Sequence, residues 1–151
     1  MNPRNGLHTA TPVVQEFFEQ YTSSRSAADS DRIASQYADS CMLAASDGVR
    51  VAERQALRSG FPKAMEQLKT VGYRSTSLAS LDEMRLDEHY TMVCARFVWR
   101  FEKTTAPPID VTVDSTFILY INDGVPRIVF HHEHEDFWQK LRTRGVLPAQ
   151  G

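Results

Sequence analysis

The sequence predicts a single α+β domain with its helices first and its sheet after, and three observations carry that reading. Apolar residues recur at helical spacing through the first half, as in Val13, Val14, Phe17, Phe18 and Tyr21. From Tyr73 onward the period changes to two, over runs rich in Val, Ile, Thr, Phe and Tyr. A chain of 151 residues that is 42% hydrophobic can bury one core, and no shift of composition marks a second domain. Helices and strands segregated in this way define the α+β class.

The elements follow in order. Residues 1–10 are a polar leader. Thr11 and Pro12 open a helix, Thr at the cap and Pro in the first turn, that runs to about Ser24. Asp29 caps a shorter helix, with Ile33 and Tyr37 one turn apart, that ends near Asp39. Cys41 to Ala45 is a short strand, Ser46-Asp47-Gly48 a turn, and Val49 to Val51 the return arm of a small hairpin. Between Ala52 and Thr70, Ala56, Leu57, Phe61, Met65 and Leu68 again share a helical side. Gly60 and Pro62 predict a kink or break there, because an interior proline removes a backbone bond and clashes with the preceding turn.

Tyr73 to Arg85 and Tyr90 to Glu102 are two long strands, and Lys103 to Pro108 a loop. Ile109 to Asp136 is a hairpin turning at Asn122-Asp123-Gly124, the strongest turn signal in the chain. Residues 137–151 form a short helix and tail, with Asp136 as cap, Phe137, Trp138 and Leu141 as apolar stripe and Gly145 as stop. Parity across the hairpin puts odd positions of its first arm on the same face as even positions of its second. One face then collects Val113, Ser115, Phe117, Leu119, Ile128, Phe130, His132 and His134. It is the more apolar, so it is predicted to face the core, with His131 and Glu133 turned away.

A formal charge of −2, with both signs interspersed, gives no nucleic-acid footprint, and no stretch approaches the length of a membrane span. The expectation is a cytoplasmic protein that takes a small apolar ligand. Cys41 and Cys94, far apart in apolar runs, read as buried thiols.

Tyr37-Ala38-Asp39 leading into a short strand, Arg54-Gln55-Ala56-Leu57 opening the third helix, and Asp123-Gly124 followed by Arg127-Ile128 resemble, in order and spacing, the nuclear transport factor 2-like superfamily. The resemblance covers about Pro12 to Asp136. It implies a cone-shaped, strongly curved antiparallel sheet wrapped around N-terminal helices, the cystatin-like fold, enclosing a pocket. The nearest likenesses are to the ketosteroid isomerase-like and polyketide cyclase-like (SnoaL-like) branches, which move protons on small apolar molecules without a cofactor. They imply a homodimer through the outer sheet face, here Cys94, Val98, Ile118, Tyr120 and Val129. The isomerase's oxyanion-binding tyrosine falls on Tyr21. Its general-base carboxylate falls at or beside Ala45 and its second acid within Phe117 to Leu119, where no carboxyl stands, so the isomerase reaction is not implied.

His132, Tyr21 and His134 are therefore the catalytic candidates, imidazoles to shuttle a proton near neutral pH and a phenol to polarise a carbonyl. Phe17, Tyr37, Phe97, Trp99, Phe101, Ser115, Phe117 and Phe130 are the predicted pocket lining. The histidine pair, two apart on a strand, could share a metal with Asp136 or Asp39, but the spacing marks no full ligand set and no metal is assigned. Two functions stay open, a dehydratase, isomerase or cyclase type of enzyme, and a non-catalytic ligand-binding or assembly domain.

Overall fold

A computed structural model describes residues 6–148. In chain order the elements are β1 (His8–Thr9), α1 (Pro12–Ser26), α2 (Ser30–Ser35), β2 (Tyr37–Ala45), β3 (Gly48–Glu53), α3 (Arg54–Thr70), β4 (Tyr73–Arg85), β5 (Tyr90–Lys103), β6 (Ala106–Asn122), β7 (Val125–Glu133) and α4 (Phe137–Thr143). The strands form one sheet in the order β1-β4-β5-β6-β7-β2-β3. Every pairing is antiparallel except that of β2 with β7. The α+β class and the long strands thus stand as predicted, and the small hairpin is an extension of the main sheet.

Local chemistry explains where the elements begin and end. Asp29 and Asp136 cap α2 and α4 by accepting from the backbone N–H groups of Arg32 and Gln139, which satisfies one otherwise free donor in each first turn. The β6–β7 turn needs two left-handed residues, and Asp123 (φ 51°) and Gly124 (φ 74°) supply them. Four predictions are corrected. Part of the leader is strand, since His8 and Thr9 pair with Glu83 and Asp82, while residues 1–5 lie outside the described residues. Tyr37 to Asp39 belong to β2 and not to the second helix, because β7 offers Tyr37 a ladder opposite Ile128. Helix α3 runs unbroken through Pro62; Arg58, whose carbonyl loses its donor, is exposed, so that carbonyl can face water. Pro107 and Pro108 lie within β6, at an end where β7 pairs only from Ser115 onward, so their missing N–H groups cost no bond on that side.

Thr11 sits at the cap of α1, yet its hydroxyl serves another partner. Its N–H and Oγ1 both donate to Glu83 Oε1 (2.9 and 2.8 Å), and Thr91 Oγ1 donates to Oε2 (2.7 Å). Burial pushes the Glu83 carboxyl up, but these bonds outweigh it and hold the group below its ordinary value. The start of α1 is thereby fixed to the sheet. Behind it Phe18 packs on Phe117 (4.9 Å between ring centres) and Tyr21 stacks on Phe97 (5.1 Å). A second cluster, Met65, Leu68, Tyr73, Phe101, Val111, Val113 and Leu141, seats α3 and α4. Of the two free thiols, Cys41 is buried and Cys94 is half-exposed.

The largest departure from the predicted register lies in β7. Ile128 pairs with Leu119 and Phe130 with Ile118, so two steps on β7 oppose one on β6 and Val129 is the extra residue of a bulge. Beyond it the parity reverses. His131 and Glu133 pair with the inward Phe117 and Ser115, while Phe130 and His132 pair with Ile118 and Thr116 on the outer face. The prediction that Phe130, His132 and His134 point inward is corrected by this single inserted residue.

Candidate functional site

The fold leaves a cavity of about 600 Å³ walled by α1, α3, the β2–β3 hairpin, the end of β7 and the start of α4. Most of its wall is apolar, with Ile33, Leu57, Phe61, Met65, Leu68, Trp99, Phe137 and Trp138 all reaching it. Trp99 and Phe137 lie ring to ring at 4.7 Å, making one flat side.

A polar group is set into this wall. Arg25 is one turn beyond Tyr21 on α1, on the same helix face, and only 6% exposed. Its guanidinium lies over the Tyr21 ring, 3.3 Å from the ring centre, and 5.9 Å from that of Phe61. Nη2 donates to the Tyr37 hydroxyl (3.2 Å), which lies 3.2 Å from His131 Nδ1. Arginine only donates, so Tyr37 accepts from it and keeps one proton, and His131 Nδ1 is the acceptor that proton finds. The opposite tautomer would leave that proton only the neighbouring Tyr21 hydroxyl. We assign the His131 hydrogen to Nε2 on this ground. Both Arg25 Nη1 and His131 Nε2 are buried without a partner among the described residues.

The surroundings fix this chain in place. Arg54 Nε donates to the Tyr37 carbonyl (3.0 Å) and its Nη1 pairs with Asp39 (3.1 Å), tying β2 to α3. The His131 ring stacks on Phe117 at 4.2 Å. Burial first, then the Arg25 charge and His132, lower the His131 pKa to about 3, so the ring is neutral at physiological pH. Burial raises the pKa of Tyr21 and of Tyr37, against the opposing effect of Arg25, so both phenols keep their protons. Glu133, two residues past His131 on the same face, also lines the cavity. Burial raises its pKa too, and Arg25 only partly counters this. Glu133 has no ion-pair partner within 4.0 Å among the described residues.

Of the residues predicted from sequence, Tyr21, Tyr37 and Trp99 reach the cavity. Phe17, Phe97 and Phe117 are core behind it, Phe101 belongs to the second cluster, and Ser115 is buried opposite Glu133 without lining the space. Phe130, His132 and His134 are on the other face. There the two imidazoles lie 4.9 Å apart, and His134 Nε2 is 2.7 Å from Thr116 Oγ1. Among the described residues no three His, Cys, Asp or Glu side chains converge as a metal set; Asp39 pairs with Arg54 and Asp136 caps α4. Arg25, His131 and Glu133 were the residues the sequence reading missed. The Phe18, Tyr21, Arg25 spacing on α1 marks the first; nothing in the composition of β7 announces the bulge that turns the other two inward.

A family model for NTF2-like proteins (DUF6841) matches residues 10–136, and the chain belongs to that family. No curated protein matches it in sequence. Among solved structures it is similar to Aln2 from a Streptomyces species, with a TM-score of 0.71 at 14% identity over 91% of this chain and 100% of that one. It is also similar to an NTF2-like protein with a cystatin-like fold from Novosphingobium aromaticivorans, at TM-score 0.67 and 12% identity over 90% and 87% of the two chains. A function unknown protein from Mycobacterium tuberculosis gives 0.66 and 15% over 82% and 70%. At these identities the likeness is one of fold. Among the described residues no helix is long and apolar enough to cross a membrane.

Proposed function

We propose that the cavity binds a small apolar or aromatic carbonyl compound and moves a proton on it, as a cofactor-free isomerase, dehydratase or cyclase does. One observation carries the reading: the cavity wall brings together Arg25 and His131, each with a buried donor that has no partner among the described residues, and Glu133, which has no ion-pair partner among them. With the ligand oxygen at the donors, Glu133 removes a proton from the adjacent carbon, and the negative charge that moves onto oxygen is met by the guanidinium and the Nε2–H group. The same carboxyl then returns the proton to oxygen or to another carbon. Preorganised donors of this kind are each worth roughly 10²–10³ in rate. A raised pKa suits Glu133 to the task, because a base works best when its pKa lies near the working pH. Tyr21 holds the guanidinium from below and acts through it.

The test needs no knowledge of the natural substrate. Aromatic ketones with an acidic C–H, incubated in D2O and followed by proton NMR, report enzyme-catalysed exchange directly. The wild type exchanges a fitting ketone, and Glu133→Gln lowers the rate by about 10²–10⁴. Equal exchange by the variant would overturn Glu133 as the base. The same reading seats a second copy of the chain on the outer sheet face, where the bulge adds Phe130 to the half-exposed Cys94, Val98, Ile118, Tyr120 and Val129.

A further inference from the structure

We infer that the molecule this cavity is built for carries a carboxylate on a flat apolar body, and that Arg25 is the receptor for that carboxylate. The inference rests on the cavity being a small-molecule site, as proposed above, and does not require the proton transfer.

Burial of a charge has to be answered by a partner, and arginine, unlike lysine or histidine, cannot escape by losing its proton. Arg25 is 6% exposed, yet no carboxylate lies within 4.0 Å of it among the described residues. The Tyr21 and Phe61 rings and the Tyr37 hydroxyl answer part of the charge. They leave Nη1 with nothing to donate to among the described residues. The acidic residues of the cavity do not fill the gap, since Glu135 pairs with Lys140 (3.0 Å), Asp136 accepts from the Gln139 N–H (3.0 Å), and Asp47 and Glu133 form no ion pair with Arg25, Glu133 acting on it only at longer range.

His131 adds a second donor to the wall. Its Nδ1 takes the Tyr37 proton, so its Nε2 offers a second unanswered donor on the same hydrogen-bonded chain. Arg25, with its full charge and unpartnered Nη1, calls for a negatively charged acceptor, a carboxylate, and the Nε2–H of His131 is left for a carbonyl oxygen on the same molecule. The rest of the cavity describes the body of the molecule. Its volume of about 600 Å³ and its Trp99–Phe137 side suit a compound of two or three fused rings.

The test compares 2-naphthoate with its neutral near-isostere 2-acetylnaphthalene by titration calorimetry on the full chain. The wild type binds the carboxylate more tightly by about 30-fold, and Arg25→Met removes that preference by weakening carboxylate binding about 30-fold. Arg25→Lys, a point charge without the planar fork, retains part of it. Glu133→Gln removes the cavity's own carboxylate and so keeps or strengthens the preference while abolishing proton exchange, and the two losses are read separately. A ketone bound as tightly as the carboxylate by the wild type, or a preference that survives Arg25→Met, would overturn the assignment. So would failure of the wild type to bind 2-naphthoate at all; this outcome does not depend on any variant folding.

Discussion

Acidification should destabilise this protein through His131. In the folded chain the ring sits neutral with a pKa of about 3, against an ordinary value of 6.5. The unfolded chain therefore binds a proton between these values that the folded chain refuses, so stability is lost as pH falls through this window and is retained above it. With these two values, the step from about pH 7 to about pH 5 costs roughly 2 kcal/mol, a sizeable share of a typical domain's stability. Glu133 works in the opposite sense. Its raised pKa means that the folded state takes up a proton more readily than the unfolded one, so lowering the pH toward the ordinary carboxylate range recovers part of the loss. Glu83, held below its ordinary value, adds to the loss only once the pH enters that range. The assay is urea unfolding of wild type and His131→Asn at the two pH values. Asparagine keeps an acceptor near Tyr37 but does not titrate, and the difference between the proteins cancels every other group. The wild type should lose about 2 kcal/mol more than the variant over this step. An equal loss in the two would refute the buried neutral imidazole.

Two further outcomes follow from the bulge. Diethyl pyrocarbonate should modify His134 and His132 well before His131, because the first two lie on the outer face and the third is buried on Phe117; peptide mapping that finds His131 modified first would return the register to a regular ladder. Sedimentation should give twice the chain mass at micromolar concentration, and Phe130→Asp should shift it to the monomer with the cavity residues untouched. A wild type that sediments as a monomer would remove the second copy from the outer face.

Much of the fold was legible because its cues are local. Asp123-Gly124 announces a turn that only left-handed residues can make, Asp29 and Asp136 announce caps, and the alternation through Val93, Ala95, Phe97, Trp99 and Phe101 announces a strand. The same logic placed Tyr21 and Trp99 in the cavity wall. What escaped was set by neighbours distant in sequence. Tyr37 follows a helix and could have continued it, but a ladder on Ile128, far along the chain, draws it into a strand. Pro62 would break a buried helix, yet it lies on an exposed face where the lost bond costs little. Val129 carries neither glycine nor proline to mark a bulge, so counting from the turn exchanged one pair of inward residues for another. Arg25 carries no local mark of burial, since charged residues on amphipathic helices usually face water; its burial depends on Tyr21, Tyr37 and Phe61 closing around it.

The parallel pairing of β2 with β7 also governs the order in which this site comes into being. Strands β4 to β7 are joined by short turns and can zip successively, whereas Tyr37 and His131 are 94 residues apart and meet only when a long loop closes. Arg25 and Tyr37 thus sit on the early part of the chain, while His131 and Glu133 sit on a meander able to form without them. The hydrogen-bonded chain between them is the seam along which β2 docks on β7, and it closes only when that long loop does. A ligand spanning that seam would act as a clamp across it, so occupancy of the cavity and mechanical closure of the sheet would be one event.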